Sequence, residues 1–250
     1  MPLASTSASA MAAHLDELGV KPGDRLAVHS RLLVFGNVEG GYATVLNVLR
    51  QAVGPKGTLV VPTYTLDRTT VYDRATSPSQ NVGVLPELLR QTEGAVRSAC
   101  PMHNHAALGA DAGLINLPKG RVSLGEGSDF ELLLREGFRL LLLGAGVSEG
   151  STFVHHVEAE MNVPYRTWLN LPRMVRAADG SLQGMVCRYF GRGDMPVSEN
   201  FEVLEAPLLA SQQMRKARAH YGVSRLVSLA ALNEAARAAL EADSYALVTK

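Results

Sequence analysis

His155 and Glu158 lie three residues apart in Ser151-Thr152-Phe153-Val154-His155-His156-Val157-Glu158-Ala159-Glu160. On a helix that spacing puts both side chains on one face. An imidazole held on one nitrogen by a carboxylate offers its other nitrogen as a general base near neutral pH. Proton abstraction from a nucleophile is therefore the first chemistry to consider. The plainer alternative is a surface His–Glu pair, worth only about 0.2–0.5 kcal/mol. His156 adds a second ring on the adjacent face, but only His155 has the helical register to Glu158.

The setting favours a site. A leucine-rich strand, Arg139 to Gly144, precedes the pair, followed by a loop of small residues, Ala145 to Gly150. Open α/β sheets place their ligands at such strand ends. Gly144, Gly146 and Gly150 let backbone approach a ligand closely. Ser151 or Thr152 is expected to cap the histidine helix.

Two further loops carry polar groups. The strand Arg25 to His29 runs into Ser30, Arg31, Leu32 and Phe35, then Gly36, Gly40 and Gly41 before a helix. A strand, a glycine-bearing loop and a helix start together offer N–H groups to a phosphate, and Arg31 adds a cation. The spacing matches neither a P-loop nor a dinucleotide fingerprint. The second loop, Gly94 to Gly109, holds Arg97, Ser98, Cys100, His103 and His105. His103-x-His105 invites a metal reading, although alternate residues on a strand should point to opposite faces. Cys100 near His103 admits a thioesterase reading, although cysteine is more often buried and inert.

Strand and helix signals alternate through the first 160 residues. Helices are expected up to Leu18, over Tyr42–Val53 and Leu85–Gln91, and from near Asp129. Strands are expected at Arg25–His29, Thr58–Tyr64, around Val96 and Ala106, and at Arg139. After Pro164, strand-like Arg173–Arg176 and Met185–Tyr189 flank the turn Asp179-Gly180. Long helices are expected over Phe201–Arg218 and Leu226–Ala242, either packed on the sheet or forming a homodimer contact. The expected fold is α/β: one domain over residues 1–250, a mixed central sheet with helices on both faces, and a small C-terminal elaboration.

With 250 residues, 46% of them apolar, the chain can bury a full core. Lysine plus arginine and aspartate plus glutamate number 24 each, so no net field favours nucleic acid or an anionic membrane. There is no apolar run of spanning length and no signal-like N-terminus. Two cysteines form no disulfide framework, and the expected location is cytoplasmic.

An ordered series of residues now resembles the aminoglycoside 3-N-acetyltransferase family, also described as antibiotic N-acetyltransferases. It comprises His29-Ser30 leading to Gly36 and Gly40-Gly41, then Gly57-Thr58-Leu59-Val60-Val61-Pro62-Thr63-Tyr64-Thr65. Ser77-Pro78-Ser79 with Gly83 and Glu87 comes next, then Gly94-Ala95, Arg97-Ser98 and Pro101. Gly125, Gly127-Ser128, Thr152-x-x-His155-x-x-Glu158 and Val163-Pro164-Tyr165-Arg166 complete it. The likeness runs from about residue 15 to 170 and continues only in outline.

The resemblance implies acetyl transfer from acetyl-CoA to a primary amine, foremost the 3-amino group of a 2-deoxystreptamine aminoglycoside, with no metal. It implies His155 as general base and Glu158 as its support. His29, Ser30, Arg31, Leu32, Phe35, Gly36, Arg97, Ser98 and His103 would line the donor arm. A polycationic acceptor calls for carboxylates, and Asp67, Asp73 and Glu126, with Tyr64, are the candidates; Asp129, Glu149, Glu160 and Asp194 are also available. Arg31, Cys100, Asn104 and Asp129 depart from the family pattern of Ser, His, Ser and Pro. Another acyl donor or a biosynthetic amine acceptor on the same fold is the alternative implied, and a metal-dependent hydrolase or thioesterase is the alternative of another class.

Overall fold

A computed structural model describes residues 3–193 and 195–249; Asp194, one of the available carboxylates, lies outside them. Seven strands form one mixed sheet, in the spatial order Met214–Arg218, Val223–Ser228, Arg139–Leu143, Arg25–Ser30, Thr58–Pro62, His105–Gly109, Val96–Arg97. The three central strands run parallel, with Leu26 opposite Leu59 on one side and Val28 opposite Leu141 on the other. The outer strands pair antiparallel.

Alternation along the central strands sends side chains to two separate cores. Leu26, Val28, Leu59, Val61, Leu141 and Leu143 join one cluster with Met11, Leu15, Val45, Leu49 and Leu85 from helices Ala8–Leu18, Tyr42–Val53 and Val84–Arg90. Ala27, Val60, Leu140 and Leu142 join the other, with Phe130, Val154, Val157, Leu232 and Ala236 from helices Asp129–Arg135, Val154–Met161 and Leu229–Ala242. A sheet buried on both faces needs apolar residues at consecutive positions, which is why Leu140 to Leu143 is unbroken leucine. The expected mixed sheet with helices on both faces is what forms.

Three sequence expectations are corrected. The helix Phe201–Arg218 is instead a 3-10 turn Phe201–Leu204, a short helix Glu205–Ala210 and the edge strand Met214–Arg218. Gln212 takes a left-handed conformation (φ 58°), and the Gln213 N–H donates back to the Leu208 carbonyl, which closes the helix. Leu226 belongs to the strand Val223–Ser228, and Ser228 caps the following helix by accepting from Ala231 N–H at 3.0 Å. The C-terminal part therefore completes the main sheet rather than decorating it. The histidine helix starts at Val154, with Phe153 already helical, so neither Ser151 nor Thr152 caps it.

The hairpin is longer than its sequence signal. Strands Arg166–Arg176 and Leu182–Arg192 pair along their full length as a separate two-stranded sheet. A short antiparallel pairing of Ser198–Glu199 with Val248–Thr249 then ties the chain's end beside the histidine helix.

The first parallel strand and the leucine strand meet at Gly144. Its φ is +80°, and a Cβ there would lie 2.7 Å from the Arg31 carbonyl oxygen and collide with Val34. Gly144→Ala is expected to cost about 1–3 kcal/mol from backbone strain and this collision. A urea midpoint equal to that of the unmutated protein would contradict the close approach.

Candidate active site

The parallel strands end together at one edge of the sheet, and the residues just beyond them form a cavity of about 430 Å³. His29, Ser30, Arg31 and Leu32 line it from the first strand, and Pro62 and Tyr64 from its neighbour. Ala145, Glu149, Gly150 and Thr152 line it from the loop after the leucine strand, and Gln80 to Val84 close another wall. Arg31 stands largely exposed, its guanidinium 3.6 Å from the Glu149 carboxylate.

One helical turn beyond Thr152, His155 Nδ1 lies 2.6 Å from Glu158 Oε2. His155 is partly exposed while Glu158 is wholly buried. The Tyr165 hydroxyl donates to Glu158 Oε1 at 2.8 Å, and Arg166 Nε sits 2.7 Å from Oε2. Both supports come from the turn that ends the helix, where left-handed Asn162 brings the chain back on itself. With Nδ1 committed to Glu158, His155 Nε2 faces outward, 4.0 Å from the Glu199 carboxylate. Phe201 packs edge-on against the same ring at 5.1 Å.

Glu199 itself is bonded by Arg166 Nη2 and Arg192 Nε, each at 3.2 Å. Partial burial pushes its carboxyl upward, but the Arg192 bond and charge outweigh this and hold it below the ordinary glutamate value. The sequence carried no signal for Glu199. It is an isolated acid outside the ordered motif series, brought in by pairing with the chain's last strand. His156 is buried, its Nε2 3.5 Å from the Glu160 carboxylate one turn along, with neither ring nitrogen hydrogen-bonded among the described residues. Burial pushes its imidazole down.

The structure gathers some of the expected donor residues and separates others. His29, Ser30, Arg31, Leu32 and Tyr64 share the cavity. Phe35 is core, packed edge-on against His14, and Gly36 lies against the Ala4 carbonyl. Arg97 is a buried brace, donating to Thr63 and to Asn104 Oδ1 at 2.8 Å, so Asn104 is an acceptor for that arginine. Ser98 is buried and accepts from the His105 N–H at 3.1 Å. Asp67 is fixed by the Thr69 hydroxyl and N–H, Asp73 caps the turn at Ala75, and Glu126 is exposed.

His103 and His105 do converge, contrary to strand alternation, because His103 precedes the strand that begins at His105. Both rings pack edge-on against Tyr64, at 4.7 and 5.5 Å. Nδ1 of each is engaged, that of His103 with Ser123 at 2.6 Å and that of His105 with Asp129 at 3.0 Å. Asp129 thus anchors a buried histidine. Among the described residues no group of three or more His, Cys, Asp or Glu could hold a metal. Cys100 is buried beside Cys187, and desolvation pushes its thiol well up, the opposite of an activated nucleophile.

The fold is shared with a class of solved structures, the aminoglycoside acetyltransferases. Aminoglycoside acetyltransferase AAC(3)-Xa superimposes with a TM-score of 0.85 at 30% identity, over 95% of this chain and 93% of that one. AAC-IIIb in binary complex with CoASH does so with a TM-score of 0.83 at 28% identity, over 96% and 97%. The chain belongs to the aminoglycoside 3-N-acetyltransferase family, whose sequence profile matches residues 27–241. The aminoglycoside N(3)-acetyltransferase III of Salmonella sp is 35% identical over 67% of this chain, a match that spans 65% of that relative's length. The type VII enzyme of Streptomyces paromomycinus is 35% identical over 64% of this chain and 62% of its own. No helix among the described residues is long and apolar enough to cross a membrane.

Two histidines, the cavity-lining and half-buried His29 and the buried His103, give a pH signature. Desolvation, then the charge of His105, holds His29 down at about 3. Desolvation, then the charges of His155, His105 and Arg166, does the same to His103, also to about 3. Above pH ~6.5 both are neutral folded and unfolded, so they add no pH slope. Between about pH 6.5 and 3 the unfolded chain takes up protons that the folded chain refuses, so stability falls as pH drops, by about 1.4 kcal/mol per pH unit per group. Urea midpoints from pH 7 to 4 should show this slope, and His103→Asn should lessen it by one group's share. An identical slope in the variant would remove His103 from the account.

Proposed function

We propose that this protein transfers an acetyl group from acetyl-CoA to a primary amine, foremost the 3-amino group of a 2-deoxystreptamine aminoglycoside, with residues 1–250 acting as one catalytic domain. The observation that carries the reading is the 2.6 Å contact between His155 Nδ1 and the buried Glu158, itself braced by Tyr165 and Arg166. The CoASH bound in the related AAC-IIIb structure supports the choice of donor.

The chemistry rests on what each group can hold. Acetyl-CoA supplies the acyl carbon and a thiolate leaving group. An alkylammonium with a pKa near ~10 is no nucleophile until a proton leaves. His155 Nε2 takes that proton, and the freed nitrogen lone pair attacks the thioester carbonyl. As the C–S bond breaks, the imidazolium returns a proton to the departing sulfur, and the adduct nitrogen gives up its second proton to solvent to leave the neutral amide. Glu158 fixes the tautomer and stabilises the imidazolium while it lasts. Glu199, 4.0 Å from Nε2, provides the negative charge beside which the acceptor ammonium docks. The cavity bounded by His29–Leu32 and Gln80–Val84 is where the pantetheine arm would lie, with Arg31 at hand for a phosphate. Two unpaired buried cysteines suit a reducing cytoplasm, where acetyl-CoA is made.

Thiol release from acetyl-CoA with a panel of aminoglycosides and simple polyamines tests this reading. His155→Ala is expected to lower kcat by about 10²–10⁴, the span for loss of a general base, with CoA binding intact. His156→Gln, measured on the folded fraction, should lose far less; equal losses would sink the assignment of a single base. Glu199→Gln should raise the acceptor KM more than it lowers kcat. An unchanged acceptor KM would move the ammonium site elsewhere.

A further inference from the structure

The hairpin encloses a second cavity. One hairpin edge is held at Tyr72, whose N–H donates to the Met174 carbonyl while its own carbonyl accepts from Arg176, both at 2.8 Å. The other edge is held at Arg121 and Ser123, which exchange bonds with Arg188, also at 2.8 Å. Toward the hairpin tip the two loops leave a space of about 650 Å³ that shares no lining residue with the cavity beside His155.

The charge of this space is one-sided. Arg74, Lys119, Arg121 and Arg176 line it against a single carboxylate, Asp73, in a chain whose acidic and basic residues number 24 each in all. Asp73 cannot neutralise them. It already accepts from Ala75 N–H at 2.8 Å and Thr76 N–H at 3.3 Å, and meets Arg176 only at 3.5 Å. Arg74 and Arg176 are held in place by carbonyls, those of Arg97 at 2.9 Å and Gly180 at 2.8 Å, which fix each guanidinium without cancelling its charge. Among the described residues, the side chains of Lys119 and Arg121 have no acceptor at all. Val175 and Met185 add an apolar floor from the hairpin's inner face.

We propose that this cavity binds a small organic phosphate, a phosphate monoester carried on an apolar or planar body. A concave surface of one charge concentrates potential and draws in counter-charged solutes. Arginine forks match phosphate oxygens, and three guanidiniums with one ammonium suit a dianion better than a monoanion. The apolar floor takes the body of the ligand. The same charge repels a polycationic amine, so the site is separate from the acceptor site and stands whether or not the acceptor is an aminoglycoside. An adenosine phosphate meets this chemistry from either of two sources: a free nucleotide, or the nucleotide end of a CoA molecule.

Titration calorimetry on the intact protein at low salt, with AMP as probe and adenosine as its uncharged control, tests the proposal. AMP should bind saturably with one site per chain, adenosine should give no heat, and raised salt should weaken the binding. The double variant K119E/R121E should bind AMP at least about tenfold more weakly, with its melting temperature unchanged. Saturating CoA then separates the sources. AMP binding undisturbed by CoA marks a free-nucleotide site, whereas displacement in a protein that also loses AMP on charge reversal marks the CoA nucleotide end. The proposal is overturned if AMP does not bind, if adenosine binds as well, or if the double variant retains full AMP affinity.

Discussion

The burial of Glu158 is the constraint on which the rest of the site depends. A carboxylate removed from water costs several kcal/mol unless partners replace its hydration. Here the replacements are the imidazole of His155, the hydroxyl of Tyr165 and the guanidinium of Arg166. Two of the three follow Glu158 by less than ten residues, so the helix must end at once and the chain must double back. Asn162 in a left-handed conformation does this, and the hairpin begins at Arg166 as a consequence. The same arginine reaches Glu199. One guanidinium thus joins the carboxylate behind the imidazole to the carboxylate in front of it.

That linkage explains how much of the site was legible. His155 and Glu158 were visible because helical spacing is a local property, and Tyr165-Arg166 lay within the recognisable series. Glu199 was not, because its position depends on Val248–Thr249 pairing with Ser198–Glu199 across about fifty residues, and no spacing rule spans such a contact. Arg97 reads in sequence as a ligand-binding cation, yet the fold surrounds it with the acceptors of Thr63, Asn104 and Ser77. A sequence shows a charge but not whether its partners are internal.

The fold was legible where hydrophobic period and turn residues agree, as at Tyr42–Val53 and the leucine strand. It was misread where an apolar stripe met a change of element. Phe201 to Arg218 has enough apolar residues for one long helix, but Ser211-Gln212-Gln213 makes a helix-closing turn, and Met214–Arg218 becomes an edge strand paired to Val223–Ser228. Tertiary pairing overrode local propensity there. The convergence of His103 and His105 on Tyr64 departed from strand alternation for a related reason: regular spacing holds only inside a strand, and His103 is outside it.

The C-terminal third, where the sequence resemblance is faintest, is therefore no appendage. It supplies two strands that extend the sheet beyond the leucine strand, the helix Leu229–Ala242 that covers the same face as the histidine helix, and the terminal pairing that places Glu199. The leucine strand is flanked on both sides because Val223–Ser228 pairs with it. Without that pairing, its buried backbone groups would lie at an open edge, and an exposed apolar edge strand is both costly and prone to misassociation. The segment leading to the His155 helix hangs from the end of this strand. The C-terminal part of the chain thus holds the part that carries His155 in register through burial and backbone pairing.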